Sequence, residues 1–353
     1  MTEKIWDIII VGGGQSGLAV AYYLRRLGLN YLILDAEEKP GGSWQNYWDS
    51  LKLFSPAQWS SLPGRLMNGG VDHYPSKDDV VDYFSDYENH YHLNVVRPVQ
   101  VTEVLHSEKI FHLSTSQGLY KSKVLISTTG SFSKPVTPEI PGLDSFEGKV
   151  LHAADYRNPS SFENLKVGII GEGNSGAQIL SELSLVADTY WFTKKSPDYL
   201  PDHVDGKYLF DAATMLFEAK KKGRAFIPPS LGDIVMVPSV KDARERGVLT
   251  YYPEVTSFTE TGVILNDGRQ FELDSVIFCT GYLPAIEYLK GLSISFRHNK
   301  VDTHGTRSRE LEGLWMVGYG SWTGFASATV IGVGRSAKAT ANEVKEFLEK
   351  TKQ

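Results

Sequence analysis

Short apolar runs alternate along the chain with segments whose apolar residues recur every three to four positions. The run at 6–11 is followed at 14–27 by apolar residues at helical spacing, and 31–34 is again apolar. A short apolar run predicts a buried parallel strand, and the three-to-four spacing predicts a helix that packs on it. The start of the chain is therefore predicted to form a β-α-β unit.

The same pattern returns in the middle of the chain. Residues 167–170 are an apolar run, 175–186 follow with helical spacing, and 189–192 are a second run. Alternating runs between 95 and 127 predict an antiparallel meander, and the turn Asn266-Asp267-Gly268-Arg269 predicts a hairpin. A last strand at 314–317 and a helix at about 329–350 are expected to complete the first unit.

Together these elements predict an α/β protein with two Rossmann-like, three-layer ββα dinucleotide-binding domains, one inserted in the other. The first domain is expected to comprise 1–158 and 285–353, and the second to comprise 159–284. The charged, proline-containing segment 201–249 interrupts the β-α alternation. It is expected to be an insertion near a cleft or a subunit contact.

Both β-α turns carry the spacing G-x-G-x-x-G. The first motif contains Gly12, Gly14 and Gly17, and the second contains Gly171, Gly173 and Gly176. In this motif the first glycine permits a tight turn, the second lets a diphosphate approach the backbone, and the third lets helix and strand pack closely. Either motif alone could be a plain connection, but two in register predict two nucleotide sites.

The residues that end the second strand of each unit differ. Asp35 ends the first unit, where a carboxylate can accept hydrogen bonds from an adenosine ribose. The corresponding place in the second unit holds Lys194 and Lys195. Cations there suit a 2′-phosphate, so the sequence favours NADPH, with NADH as an alternative donor. Lysine is a flexible point charge, which makes the expected preference modest.

Composition excludes several other classes. The net charge is −6 and basic residues do not cluster as they do in nucleic-acid binders. No apolar stretch approaches the roughly 20 residues of a membrane span, and 1–7 leave no room for a signal peptide, so a cytoplasmic protein is expected. Cys279 is the single cysteine, which excludes a disulfide and a C-x-x-C redox pair. No metal site is expected, and a homodimer is the default assembly.

A third motif lies between the two glycine motifs. The stretch from Phe146 to Tyr156 matches F-x-G-x-x-x-H-x-x-x-[FY], with Gly148 and His152 at its inner positions. In this motif, and in its place between the two glycine motifs, the chain resembles the flavin-containing monooxygenases, and most closely the compact bacterial members of class B. His152 is interpreted as structural, because the family's motif is thought to orient the two domains.

The resemblance implies FAD in the first domain and NADPH in the second. NADPH would reduce FAD, the reduced flavin would react with O₂, and a C4a-hydroperoxide would pass one oxygen atom to a soft nucleophile. Thioethers and amines are the expected small-molecule substrates, with ketones as a further class. No catalytic triad is required.

The resemblance also implies which residues hold each cofactor. Those for FAD are Gly12, Gly14, Gln15, Ser16, Gly17, Asp35, Gly42, Ser43, Trp44, Val101, Thr129, Gly130, Ser327, Ala328 and Thr329. Those for NADPH are Gly171, Gly173, Asn174, Ser175, Gly176, Lys194, Lys195, Thr280 and Gly281. The loop before the last helix is expected to deliver helix N–H groups toward the flavin.

One departure from the family concerns the flavin edge. Many relatives place an asparagine there, whereas Phe54 stands at the corresponding position. An apolar ring in place of a hydrogen-bond donor leaves open an NADPH oxidase or flavin reductase that oxygenates no substrate. A second alternative comes from the motif at 146–156, which the related Baeyer–Villiger monooxygenases share, although those enzymes usually carry tryptophan where Tyr156 stands.

Overall fold

The computed structural model describes residues 4–204, 206–227, 230 and 232–351. Its strands are β1 (Ile5–Val11), β2 (Tyr31–Leu34), β3 (Val95–Val96), β4 (Val101–Ser107), β5 (Ile110–Thr115), β6 (Gly118–Ser127), β7 (Lys149–His152), β8 (Lys166–Ile170), β9 (Asp188–Phe192), β10 (Tyr251–Tyr252), β11 (Val255–Thr259), β12 (Gly262–Leu265), β13 (Gln270–Glu272), β14 (Ser275–Phe278), β15 (Phe296–Arg297), β16 (Lys300–Val301), β17 (Thr303–His304), β18 (Arg307–Ser308) and β19 (Leu314–Met316). Its helices are α1 (Gln15–Arg26), α2 (Lys77–Tyr91), α3 (Asn174–Leu183), α4 (Gly206–Lys221), α5 (Pro238–Glu245) and α6 (Val333–Lys350).

The first sheet has β1 near its centre. The strand order is β17-β18-β19-β6-β1-β2-β3, and β4 and β5 continue from β6 as an antiparallel meander. Pairings of β1 with β2 and with β6 are parallel, so that Ile10 lies opposite Ile33 and Ile126. This arrangement places the carboxyl ends of β1, β2 and β6 at one edge of the sheet.

Alternate residues of β1 face different layers, which explains why its buried part, Ile8–Val11, is apolar at every position. Ile8 and Ile10 pack into a core built with α1, α2 and α6. Ile9 and Val11 pack on the other face with the meander and with residues near Leu289. A strand buried on both faces needs apolar residues at every position, because its side chains point alternately to each side.

The second sheet repeats this design on a smaller scale. It is parallel throughout, with the order β10-β9-β8-β14-β7. One face packs against α3 and α5, and the other packs against the small antiparallel sheet β11-β12-β13. The predicted hairpin at 263–273 is confirmed as β12 and β13.

The order of the strands confirms the predicted fold class. All strands of the second sheet lie in the sequence between β6 and β15, and β19 then returns to pair with β6. One Rossmann-like unit is thus inserted in the other. The proposed boundaries at 158 and 284 stay a prediction. β7 precedes residue 159 and pairs with β14 of the second sheet. This pairing favours a domain boundary ahead of Lys149.

The last helix begins later than the sequence pattern indicates. α6 starts at Val333, whereas the pattern predicts a start near Thr329. Ala326 has a φ of 60°, and the Thr329 hydroxyl donates to the carbonyl of Ala326 while accepting from the N–H of Gly332. These contacts close a separate turn, so the helix cannot extend back through it. Within 201–249, the described residues form α4 and α5, as the helical pattern predicts.

Candidate functional site

A first cavity of about 910 Å³ opens at the carboxyl ends of β1, β2 and β6. Most of the residues predicted to hold FAD line it, namely Gly12, Gly14, Gln15, Ser16, Asp35, Gly42, Ser43, Trp44, Val101, Thr129, Gly130 and Ala328. Gly17, Ser327 and Thr329 are not on its lining. Ser327 instead donates its hydroxyl hydrogen to the carbonyl of Gly320 within the loop that precedes α6.

The glycines of the first motif have separate structural reasons. Gly12 has a φ of 106°, a backbone conformation that favours glycine. A Cβ on Gly17 would lie 2.0 Å from the Gly12 carbonyl oxygen, so the third glycine is needed for the turn itself. A Cβ on Gly14 would meet nothing closer than the Gly42 Cα at 3.9 Å. The protein alone would tolerate a side chain at Gly14, and that space is free for a ligand.

The start of α1 fits an anion. Gly14 is the N-cap and supplies no side-chain hydrogen bond, and the first turn of α1 contains no acidic residue. The first N–H groups of the helix are therefore available, and the helix dipole favours negative charge there. A diphosphate fits this cradle.

Gln15 links two distant parts of the cavity wall. The indole N–H of Trp44 donates to Gln15 Oε1 at 3.1 Å, and Gln15 Nε2 donates to the carbonyl of Ala328 at 2.5 Å. The turn at 42–46 and the loop before α6 are thus held together by one amide. These three residues were each predicted to contact FAD, and the structure brings them together.

Asp35 lies at the end of β2, with its side chain 6% exposed. The guanidinium of Arg97 donates from Nε to Asp35 Oδ2 at 2.6 Å. The other side of Arg97 pairs with Glu88 of α2, at 2.8 Å from Nη1 and 2.6 Å from Nη2. Neither Arg97 nor Glu88 was predicted from the sequence to lie at this site, because both lie more than 50 positions after Asp35.

A second cavity of about 920 Å³ opens at the carboxyl ends of β8, β9 and β14. Gly171, Gly173, Lys194, Lys195, Thr280 and Gly281 line it. Gly173 is the uncapped N-cap of α3, and an added Cβ there would meet no atom within 4 Å. A Cβ on Gly176 would lie 2.3 Å from the Gly171 carbonyl oxygen. The two glycine motifs thus build the same cradle.

Asn174, Ser175 and Gly176 are not on the lining of the second cavity. The amide of Asn174 instead accepts from the N–H of Val235 at 2.8 Å and donates to the carbonyl of Asp233 at 3.1 Å. This side chain fixes the segment that forms one wall of the cavity. The Asn174 amide thus bonds to protein atoms, and its predicted contact with NADPH stays a prediction.

The two lysines of the second cavity face carboxylates. Lys194 lies 3.4 Å from Glu254, and Lys195 lies 2.6 Å from Asp198. Both lysine side chains are about two-thirds exposed, at 68% and 66%. The hydrogen bond that Lys195 donates to Asp198 raises the pKa of the Lys195 ammonium group above its usual value. Neither carboxylate was predicted from the sequence. Glu254 lies far along the chain, whereas Asp198 stands three positions after Lys195.

The two cavities adjoin at the segment 134–138. Lys134 and Pro135 line the first cavity, while Val136 and Pro138 line the second. Val136 donates its N–H to the carbonyl of Gly281 at 3.0 Å, which joins this segment to the second unit. A ligand in one cavity can therefore approach a ligand in the other along a single stretch of chain.

A row of aromatic rings crosses the same junction. Tyr47 packs on Phe132 at 4.6 Å between centroids, Phe132 stacks on Tyr282 at 5.4 Å, and Tyr282 meets His152 edge-on at 5.0 Å. Burial raises the pKa of Tyr47 to about 12. These residues give the junction an apolar wall, which was not predicted from the sequence.

His152 has a structural environment. It is 5% exposed, and its Nδ1 accepts from the N–H of Ala154 at 3.1 Å. Burial lowers the pKa of His152 below its usual value. A buried ring that accepts from a backbone N–H and packs on Tyr282 is a structural environment, while the role of this motif in orienting the two domains stays a prediction.

Phe54 does not lie on the lining of the first cavity. Its ring is half-buried and packs against a small cluster made of Leu200, Val204 and Val235. It therefore joins the first unit to the segment that Asn174 holds. Its expected place at the flavin edge stays a prediction.

Neither a candidate membrane span nor a candidate metal site occurs in the part of the chain that the structure describes. None of its helices has the length and apolar character that crossing a membrane would require. No group of three or more histidine, cysteine or carboxylate side chains in these residues could hold a metal ion.

Two uncapped helix N-termini, each opening onto its own cavity, form the arrangement expected of a protein that binds two nucleotides. The family model described as pyridine nucleotide-disulphide oxidoreductase matches residues 9–198. A solved flavin-containing monooxygenase from Stenotrophomonas maltophilia is 43% identical, over 97% of this chain and 98% of that one, with a TM-score of 0.88. The chain therefore belongs to the pyridine nucleotide-disulphide oxidoreductase family and, within it, to the flavin-containing monooxygenases.

Curated relatives agree with this assignment. An uncharacterized CzcO-like oxidoreductase of Geobacillus kaustophilus is 30% identical, over 97% of this chain and 99% of its own length. A probable indole-3-pyruvate monooxygenase, YUCCA4 of Arabidopsis thaliana, is 28% identical over 88% of this chain and 84% of its own. These comparisons support flavoprotein monooxygenase activity with a flavin and a nicotinamide cofactor. The resemblance inferred from the motifs is confirmed.

Proposed function

We propose that the protein is an FAD-dependent, NADPH-using monooxygenase that oxygenates thioethers and amines, with ketones as a further class. One observation carries this proposal: two uncapped helix N-termini, at Gly14 and Gly173, open onto cavities that meet along 134–138. Each has room where a diphosphate would approach the backbone. When both cofactors are bound, the flavin supplies electron transfer from the nicotinamide to O₂, and one oxygen atom goes to the substrate.

The residues of the first cavity would bind and orient the flavin. The N–H groups at the start of α1 would hold the diphosphate, and Asp35 would accept from the adenosine ribose. Trp44 and Ala328, which Gln15 connects, would form the wall near the ring system. No side chain needs to act as a nucleophile or a general base in this scheme.

The residues at the junction would exclude water. Tyr47, Phe132 and Tyr282 form a continuous apolar surface between the cavities. Reactive oxygen that is held beside such a surface is less exposed to bulk water, which would favour transfer to substrate over release of hydrogen peroxide. The same surface would accept an apolar thioether.

The residues of the second cavity support a modest preference for NADPH. Lys194 and Lys195 line the second cavity and would face a 2′-phosphate bound there, but Glu254 and Asp198 already pair with them. An incoming phosphate must compete with these carboxylates, so each lysine contributes less than a free cation would. NADH is therefore proposed as a usable donor. The homodimer and the cytoplasmic location stay predictions.

The test is a product balance. Purified protein, FAD, NADPH, O₂ and methyl phenyl sulfide would be combined, and NADPH consumed, sulfoxide formed and hydrogen peroxide released would be measured. The proposal expects sulfoxide to account for most of the NADPH. Catalase would be added in a parallel reaction, because sulfoxide made by free peroxide would then disappear.

The balance also tests the alternatives. Hydrogen peroxide equal to the NADPH consumed, with no sulfoxide, would establish an oxidase and reject the monooxygenase. Replacing the sulfide by cyclobutanone and measuring lactone tests the Baeyer–Villiger activity. A protein that neither binds FAD nor oxidises NADPH would reject the proposal entirely.

A further inference from the structure

Three charged side chains form a closed group beneath the first glycine motif. Asp35, Arg97 and Glu88 are 6%, 11% and 9% exposed in their side chains. They come from the end of β2, the loop after β3 and helix α2. Three hydrogen bonds of 2.6 to 2.8 Å join them, all donated by Arg97. We call this group the Arg97 triad.

The charges of the Arg97 triad do not balance. Two carboxylates share one guanidinium, and burying charge is costly unless it is paired. Burial raises the pKa of Glu88, although the bonds from Arg97 oppose this. A purely structural pair would need only Glu88, which already occupies both terminal nitrogens of Arg97. The second carboxylate, that of Asp35, is therefore expected to bind a group outside the triad.

Asp35 has an oxygen available for such a role. Arg97 contacts Oδ2, and Oδ1 has no hydrogen-bond partner among the residues that the structure describes. Asp35 lines the first cavity, whereas Arg97 and Glu88 do not. The backbone on either side is fixed, because Asp35 donates to Val96 at 3.1 Å and accepts from Val99 at 2.7 Å. Only the side-chain torsions of Asp35 remain to be set.

The Arg97 triad also touches the glycine motif. A Cβ on Gly13 would lie 2.6 Å from Asp35 Oδ2 and 2.9 Å from Arg97 Nη2. Gly13 stands at a position of the motif that does not require glycine, and its φ is not positive. The absence of a side chain at Gly13 is thus explained by the space that the triad occupies.

We propose that Arg97, held by Glu88, is a positioning residue that orients Asp35 toward the ribose hydroxyls of a bound adenosine. This inference rests on the proposed binding of FAD in the first cavity. Arg97 fixes one oxygen of the carboxylate, so that the other faces the cavity. Its positive charge also offsets the repulsion between Asp35 and a diphosphate on the adjacent helix N-terminus.

The test measures ligand binding to the FAD-free protein. FAD binding would be followed by its fluorescence, and ADP and 2′,3′-dideoxy-ADP would be used as competitors for the same site. The wild type is expected to prefer ADP, because the dideoxy compound lacks the hydroxyls that Asp35 would bind. Arg97→Met is expected to weaken ADP by about tenfold or more while leaving the dideoxy compound unchanged.

Further variants make the test specific. Asp35→Asn is expected to show the same loss for ADP, and the double variant no additional loss, because both act through one contact. Arg97→Lys should restore part of the preference. Arg309→Met removes an exposed arginine that pairs with Asp302, and it should change neither competitor. If Arg97→Met does not fold, Asp35→Asn and Gly13→Ala report on the same contact.

The outcomes separate two failures. Equal weakening of ADP and dideoxy-ADP by Arg97→Met would show a packing role and overturn the inference while FAD binding stands. A wild type that prefers ADP, together with Asp35→Asn and Gly13→Ala variants that keep this preference, would also overturn it. A wild type that binds no FAD would overturn the proposed function itself.

Discussion

The two cavities have the same backbone cradle but differ in how their charged residues are held. In the first, Arg97 and its two carboxylate partners are almost fully buried and joined by short bonds. In the second, Lys194 and Lys195 are about two-thirds exposed and form single pairs with carboxylates. Buried, preorganised groups favour tight retention, whereas exposed pairs are weak and easily exchanged. The contrast suits one resident cofactor and one that enters and leaves at each turnover.

The largest expected effect separates the two cradles. Gly14→Val should lower FAD affinity by about a hundredfold or more, because the side chain would occupy the space for the diphosphate. Gly173→Val should leave FAD bound and instead prevent reduction by NADPH. Flavin absorbance and its bleaching by NADPH measure both effects. A Gly14→Val protein with a full flavin spectrum would refute the assignment of the first cradle.

A smaller effect is expected from the lysines of the second cavity. Replacing Lys194 and Lys195 together by Ala should raise the KM for NADPH by about tenfold and leave that for NADH nearly unchanged. Loss of the charges removes attraction only for the 2′-phosphate. Steady-state kinetics with both donors provide the measurement. Equal changes for the two donors would discard the phosphate role.

The amide that joins the walls of the first cavity provides the next test. Gln15→Glu replaces a donor to the Ala328 carbonyl by an oxygen, so that contact is lost and becomes repulsive. FAD affinity should fall by about fivefold, and the melting temperature of the loaded protein should drop. Gln270, an exposed glutamine of β13 that lines neither cavity, serves as the matched control in Gln270→Glu. An equal effect of both substitutions would argue against a specific connection.

The smallest expected effect is an improvement of NADPH binding in the second cavity. Glu254→Gln removes the carboxylate that competes for Lys194 and should lower the KM for NADPH by about two- to threefold. The affinity for FAD should not change. Glu260→Gln, on the exposed turn after β11, gives a control of the same charge change. An increase in KM at Glu254→Gln would show that this carboxylate supports the nucleotide.

Local patterns explain why much of this structure was predictable from the sequence. The strands and helices around each glycine motif, and the return of the last strand to the first sheet, follow from apolar spacing. Contacts between residues that are distant in the chain do not follow from this spacing. Arg97 reaches Asp35 across 62 positions, and Gln15 reaches Ala328 across 313. No periodicity encodes such pairs, because the fold brings them together only after the sheets have formed.

The contacts of Phe54 are a second example of contacts between distant residues that the sequence pattern does not predict. Its position after the 41–44 turn suggests the flavin edge, but its ring packs on Leu200, Val204 and Val235. Those partners belong to the irregular segment whose path the sequence pattern does not define. Similarly, the turn before α6 depends on hydrogen bonds of the Thr329 side chain. The helical spacing of apolar residues does not reveal such a turn.

The late return of the chain to its first sheet sets an order for assembly during synthesis. Gly318 and Ala328 line the first cavity, although they lie in the last tenth of the polypeptide. A nascent chain that ends after the inserted unit already contains both glycine motifs, yet one wall of the first cavity is still missing. Capture of the resident cofactor is therefore expected only when the segment that contains Gly318 and Ala328 has left the ribosome, after the inserted unit has had time to fold.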